Sequence, residues 1–164
     1  AASYTFARIG QTARQAIREM RLFIHQLRPP VLEQEGLIGA LDLRLAAVEG
    51  RSDLDVHLNA ENDIALSTAQ EAALYHIAKE ALNNTLKHAG ADSVSVNVFR
   101  QNQQIILEIC DNGKGFNTHQ ENIGGMGLVN MKQRAEAMGG DLIIESSLGS
   151  GTRVIALLEI GRGE

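Results

Sequence analysis

Four polar side chains of different chemistry recur at helical spacing in Glu80-Ala-Leu-Asn-Asn-Thr-Leu-Lys-His88. At about 100° per residue, Glu80, Asn84, Lys87 and His88 fall within roughly a quarter of a helix circumference. A carboxylate, an amide, an ammonium and an imidazole then share one face, while Leu74, Ile77, Ala78, Ala81 and Leu82 make an apolar one. A buried helix would not collect such groups, and a merely solvated face has no use for an amide beside a carboxylate. The polar face reads as one wall of a site whose other wall lies elsewhere in the chain.

Three glycine-bearing sets are available to build that second wall. Asp111-x-Gly113-x-Gly115-Phe116 directly follows an alternating apolar run. An ionised Asp at a strand end is a good acceptor for an exocyclic amine, and glycine lets the backbone turn sharply beside a ligand. Gly125-x-Gly127-Leu128 opens a helical run, where free backbone N–H groups can take a phosphate. It is not a Walker loop, since Gly-Lys-Ser/Thr is absent. Nor is it a dinucleotide fingerprint, since no parallel β-α-β unit surrounds it. Gly149-Ser-Gly151-Thr152 on its own is a hairpin turn. Each set is ambiguous alone. Together they comprise a metal-liganding amide (Asn84), a carboxylate one turn earlier, a cation three residues later, an amine acceptor and a glycine cradle for phosphate. Those are the requirements of bound Mg-ATP. Magnesium prefers oxygen and keeps its waters and phosphates, so one protein oxygen is enough.

The elements that must hold these residues follow from periodicity. Phe6, Ile9, Ala13, Ala16, Met20, Phe23 and Leu27 are spaced alternately three and four apart, the seven-residue repeat of helices packed side by side. Ile17 and Ile24 widen the stripe to the width that a four-helix bundle buries. Arg28-Pro29-Pro30 ends that helix. One helix cannot bury such a stripe, so association with other helices is expected. After a short linker, residues 36–48 form a second helix, and Leu54, Val56 and Leu58 alternate as a strand. Ser67 or Thr68 is the expected N-cap, with Glu71 in the first turn, of a long helix reaching Ala89, and Gly90 stops it. Val94, Val96 and Val98, then Ile105, Leu107 and Ile109, mark two strands joined by a turn at 101–103. A polar stretch without periodicity, 117–124, precedes a helix from Gly125 ending at Gly139-Gly140, and two last strands flank 148–152. The predicted fold class is α+β, a two-layer sandwich whose mixed, mostly antiparallel sheet carries three helices on one face, preceded by one long bundle-forming helix.

Charge and composition narrow the function. The chain has 164 residues and a net charge of −5. Residues 1–30 hold five arginines against Glu19, a balance of +4, which leaves −9 for the rest. The acidic body argues against direct nucleic-acid binding, and the basic segment lacks aromatics for base stacking. No run approaches the ~20 apolar residues of a membrane span. The single Cys110 excludes an internal disulfide, suits a reducing compartment, and in its apolar strand run reads as an inert core thiol. His25, followed by Gln26, reads as structural or solvated.

Glu80-x-x-x-Asn84-x-x-Lys87-His88, Asp111-x-Gly113-x-Gly115-Phe116, Gly125-x-Gly127-Leu128 and Gly149-x-Gly151-Thr152 resemble the four ATP-binding boxes of sensor histidine kinases. That family shares its Bergerat-type fold with gyrase, the heat-shock chaperone and mismatch-repair ATPases. The resemblance covers residues 31–160 with every box in order. Glu-Ala-Leu-x-Asn with Lys-His-Ala, and Leu27-Arg28-Pro29 followed by Gly36-Leu37, resemble the subfamily whose response regulators have helix-turn-helix DNA-binding output. The resemblance implies that residues 1–28 are the second helix of a dimerisation region, 29–36 a linker and 37–164 the catalytic domain. By the same resemblance Asn84 ligates Mg²⁺, Lys87 contacts phosphate and Asp111 binds the adenine amine, with Thr152 supporting it through water. Gly113, Gly115, Gly125 and Gly127 shape the pocket and lid with Leu128, Glu80 polarises the attacking histidine or a water, and His88 belongs either to the site or to packing.

One departure sets the expected partners. The family's phosphoacceptor is a His followed by Asp or Glu, whereas His25, His57, His76, His88 and His119 here precede Gln, Leu, Ile, Ala and Gln. The resemblance therefore implies a cytoplasmic catalytic part that cannot phosphorylate itself alone and passes the ATP γ-phosphoryl group to a histidine on another dimerisation helix. It further implies a homodimeric parent, whose membrane anchor, where it has one, lies in other segments, and relay to a response-regulator Asp. Alternatives from the same fold are an anti-sigma serine kinase and a non-catalytic nucleotide-binding interaction module. The first of these would lack a helix ending in Leu-Arg-Pro.

Overall fold

The computed structural model describes residues 10, 12, 15, 16, 28–119 and 125–160. Most of the heptad stripe, and His25, lie outside the described residues. The order from Pro30 is α1 (Pro30–Glu49), β1 (Asp55–Ala60), α2 (Thr68–Asn84), a π-helical turn (Thr85–Ala89), β2 (Ser93–Gln101), β3 (Gln104–Asp111), α3 (Gly125–Ala137), β4 (Asp141–Ser146) and β5 (Thr152–Glu159). This is the expected sequence of elements, with two differences. The helix after the prolines starts at Pro30, because proline is well suited to the first helical position, and it breaks at Gly36, where φ is +66°. The long helix is not α-helical to Ala89; its last turn is wider.

The five strands run in the order β1-β2-β3-β5-β4. β1 lies parallel to β2, and every other neighbouring pair is antiparallel. Alternation then sorts the side chains into two faces. Val94, Val96 and Val98 of β2, Ile105, Leu107 and Ile109 of β3, and Val154, Ala156 and Leu158 of β5 are all buried on one of them. Against them pack Leu74, Ile77, Ala78, Ala81 and Leu82 of α2, with Met131 and Ala135 of α3 and Leu37, Leu41, Leu45 and Val48 of α1. α2 sits between the other two helices, so its polar face is set by what the sheet does not take.

The long helix is anchored at both ends. Ser67 Oγ accepts from Gln70 N and Gln70 Oε1 accepts from Ser67 N, a reciprocal cap. Gln70 Nε2 also donates to the Glu159 carbonyl of β5. Arg28 pairs with Glu71 and donates to the Leu32 carbonyl, tying the residues before α1 to the first turn of α2. Further along, Arg44 donates to Asn83 Oδ1 at 2.6 Å. Asn83 therefore belongs to the α1 contact, and its neighbour Asn84 is turned elsewhere.

The opposite face of the sheet carries the polar alternates. Glu108 accepts from Asn97 and from Arg153, whose guanidinium also reaches Glu145. Cys110 lies here, between Ser95 and Arg153 in register and partly exposed, not in the core as the apolar run suggested. The error is one of parity: β3 has apolar Ile106 and Cys110 on its outer face, so the run hides which alternate points inward. Among the described residues no helix is long and apolar enough to cross a membrane.

Candidate nucleotide site

The side chains of the polar helix face open into a cavity of about 530 Å³, a size usual for small-molecule sites. Glu80, Asn84, Lys87 and His88 line one wall. Asp111, Lys114, Gly115, Phe116 and Thr152 line the facing side, and Gly125, Met126, Gly127 and Leu128 close one end. Apolar Ile109 and Val154 pave the floor. The structure thus brings together every residue expected at the site except Gly113, which is buried behind the wall.

Strand order does much of this. β5 lies between β3 and β4, so Asp111 and Thr152 are register partners, as are Ser146 and Thr152. The Asp111 carboxylate is fixed twice. Oδ1 accepts from Gly113 N at 2.9 Å, and Oδ2 lies 3.1 Å from Thr85 Oγ1. Each carboxylate oxygen has a second lone pair, so both remain able to accept from a ligand. Thr85 is buried, and its hydroxyl also lies 3.2 Å from the Ala81 carbonyl. Ser146 ties the two glycine loops: its hydroxyl accepts from Phe116 N and donates to the Gly151 carbonyl, 3.0 Å from Thr152 Oγ1.

Close backbone approach explains the glycines. A Cβ on Gly113 would stand 2.4 Å from the Ala89 carbonyl oxygen, which already accepts from Lys114 N at 2.8 Å. Gly113 therefore shapes the pocket by letting the Asp111 loop press against the end of the π turn. Gly127 is constrained from inside the cavity, since its Cβ would lie 2.3 Å from Glu80 Oε1. The first turn of α3 rests on the Glu80 carboxylate.

The π turn changes the geometry assumed from 100° steps. Thr85–Ala89 follows Asn84 directly and ends at Gly90 with φ +57°. A wider turn rotates Lys87 and His88 relative to Glu80 and Asn84, yet all four still reach the cavity. Lys87 and His88 are exposed, while Glu80 and Asn84 are half-buried. The sequence did not single out Thr85, Ser146 or Lys114. Only Lys114 carried a signal, as a cation between the two glycines of the Asp111 box.

The arrangement suits a nucleotide. An apolar slot bordered by a fixed carboxylate can accept an aminated base, and the ammonium groups of Lys87 and Lys114 add positive charge to the lining. A half-buried amide one turn from a carboxylate offers the oxygen that magnesium prefers.

Residues 69–162 match the family of histidine kinase-, DNA gyrase B- and HSP90-like ATPases. The chain is 36% identical over 146 residues to the sensor histidine kinase LiaS of Bacillus subtilis, covering 89% of this chain and 40% of that protein. It is 32% identical over 153 residues to the signal transduction histidine-protein kinase/phosphatase DegS of Brevibacillus brevis, covering 93% and 40%. The chain thus spans about 40% of the length of these curated relatives. Among solved structures, the histidine kinase domain of the blue-light activated histidine kinase EL346 of Erythrobacter litoralis superposes with a TM-score of 0.65 at 20% identity, covering 76% of this chain and 60% of that one. The ATP binding domain of PrrB from Mycobacterium tuberculosis does so with a TM-score of 0.58 at 25% identity, covering 75% and 93%. The matched span takes in more than half of the chain and all four boxes that line or shape the cavity, and the chain belongs to the histidine kinase-, DNA gyrase B- and HSP90-like ATPase family.

Proposed function

We propose that this chain is the Mg-ATP-binding catalytic part of a sensor histidine kinase. In this role it transfers the γ-phosphoryl group to a histidine on a dimerisation helix outside these 164 residues. The observation that carries this is the convergence in one cavity of the Glu80–Asn84–Lys87–His88 wall with Asp111 and Thr152 on adjacent strands. Asp111 takes the exocyclic amine of adenine, with Thr152 beside it. Lys87 meets the phosphates, and Lys114 and His88 line the same cavity. Asn84 ligates Mg²⁺, which when bound neutralises charge on the phosphates. In the transfer, the bond from the γ-phosphorus to the bridging oxygen breaks as one to an imidazole nitrogen forms, and ADP leaves. Glu80 polarises the attacking imidazole by accepting from its N–H. Positioning and charge neutralisation supply most of the catalysis. The parent works as a cytoplasmic homodimeric signalling module, and the phosphoryl group passes on to a response-regulator Asp. The Glu-Ala-Leu-x-Asn and Leu-Arg-Pro patterns favour a regulator with helix-turn-helix output.

Two measurements test this. Asn84→Ala should abolish the magnesium-dependent part of ATP binding in titration calorimetry, and undiminished affinity counts against the assignment. Added to a dimerisation hairpin bearing its histidine, the chain should transfer label from γ-labelled ATP into an acid-labile, alkali-stable product. Acid-stable label indicates a serine kinase, and ATP binding without any transfer indicates an interaction module.

A further inference from the structure

α3 presents Gly127, Met131 and Arg134 at helical spacing. Gly127 touches the Glu80 carboxylate, Met131 is buried in the core, and Arg134 is half-buried. Behind Glu80, between α2 and α3, lies a second and much smaller cavity of about 120 Å³, lined by His76, Lys79, Glu80, Asn130, Met131 and Arg134. Among the described residues, Glu80 alone borders both this cavity and the nucleotide cavity. It is also the only carboxylate among the described residues that line the smaller one.

We propose that Arg134 is a positioning residue for Glu80. From the rear cavity its positive charge draws the carboxylate toward the seam between α2 and α3, so that seating of α3 and alignment of Glu80 are one event. The proposal rests on the role given to Glu80 above. The chemistry favours it in three ways. Gly127 gives the carboxylate room to lie against the first turn of α3, where any side chain would push it away. A half-buried guanidinium attracts a carboxylate more strongly than a solvated one does. Burial pulls the Arg134 pKa down and the charge of Glu80 pushes it back up, so the two groups sense each other across the cavity. Lys79 adds a second cation to the same cavity from the exposed side of α2, but it shares an element with Glu80 and does not report the position of α3.

The test is a double-mutant cycle in the phosphotransfer assay with the added histidine-bearing hairpin, using Mg-ATP. Glu80→Gln should lower kcat by about a hundredfold. Arg134→Gln should lower kcat by about tenfold with the KM for Mg-ATP within about twofold, the signature of alignment rather than binding. In the Glu80→Gln background Arg134→Gln should add nothing, because its effect runs through the carboxylate. Arg134→Lys should recover part of the rate. Should Arg134→Gln fail to fold, Arg134→Met, which keeps the packed stem, takes its place in the cycle. An Arg134 effect of the same size in both backgrounds, a raised KM with unchanged kcat, or a wild-type rate overturns this proposal while leaving the nucleotide site intact. A wild-type rate for Glu80→Gln overturns the role given to Glu80 and the proposal with it, while no transfer by the wild-type chain overturns the functional assignment itself.

Discussion

The Thr85 hydroxyl has one proton to donate and two acceptors within reach, Asp111 Oδ2 at 3.1 Å and the Ala81 carbonyl at 3.2 Å. Since that carbonyl is part of the helix ladder, the proton does more at the carboxylate, which on the proposed function accepts from adenine with its remaining lone pairs. Thr85→Val keeps the shape and removes the proton. It should lower stability by about 1–3 kcal/mol, the usual cost of leaving a buried acceptor short of a partner, and weaken adenine-nucleotide binding severalfold. Chemical denaturation and calorimetry measure the two effects, and wild-type affinity would show that Asp111 needs no such support. Nothing in the sequence marks Thr85, because it precedes Asp111 by 26 residues and only the fold joins them. Asp111 was legible for the opposite reason: its glycines follow at once. Cys110, next to it, was misplaced, but its chemistry is still quiet. Burial pushes the Cys110 thiol up, and Glu108 alongside pushes it further. Only the thiolate is nucleophilic. Alkylation by iodoacetamide at pH 8 should therefore be several times slower than for a free thiol and should accelerate only above the ordinary thiol range. A rate equal to that of glutathione would mean the thiol is unshielded.

At the scale of elements, α2 together with the π turn that continues it positions more of the site than any other, and its start is specified locally. Ser67 was legible as a cap because its type and place before an apolar-periodic run leave few alternatives. Gln70, three residues on, completes the Ser-x-x-Gln pattern of a reciprocal cap and was legible too; only its reach to the Glu159 carbonyl was not. Ser67→Ala should destabilise the fold by roughly 1 kcal/mol, typical of a lost N-cap, and lower the melting temperature by a few degrees. Nucleotide affinity should stay within twofold, because the cap lies at the end of α2 remote from Asn84. An unchanged melting temperature would show that the cap is replaced by solvent. The opposite end of α2 could not be read so well. Alpha-helical steps put Lys87 and His88 over Glu80, but the chain widens into a π turn at Thr85, where Asp111 meets the helix. Periodicity of apolar residues carries no mark of such a turn, because a few residues are too short a window. The same limit hid the start of α1. Pro29-Pro30 and Gly36 look like linker residues, yet Pro30 begins a helix and Gly36 interrupts it.

For the whole molecule, element types were legible because alternation and helical spacing are strong in β2, β3 and α2, whereas topology was not. Sequence order places β4 next to β3, but β5 lies between them, and only that arrangement sets Thr152 opposite Asp111. Non-local pairing leaves no local trace. The division of the molecule raises a last expectation. From α1 onward the core closes on itself: α1, α2 and α3 cover the inner sheet face, and Arg28 ties the preceding residues to Glu71. Most of the heptad stripe of residues 6–27 lies outside the described residues, but a sequence stripe of that width needs other helices to cover it. A chain shortened to begin at Leu27 keeps Arg28 and should fold, bind Mg-ATP within twofold of the 164-residue chain, and sediment as a monomer. The 164-residue chain should self-associate through the stripe, and Phe6→Asp with Phe23→Asp should disperse it without touching nucleotide affinity. A monomeric 164-residue chain would show that the stripe requires the histidine-bearing helix before it pairs. Lost nucleotide binding in the shortened chain would show instead that the stripe packs on the catalytic core, because a site enclosed by α2, α3 and the sheet has no other reason to depend on residues 1–26.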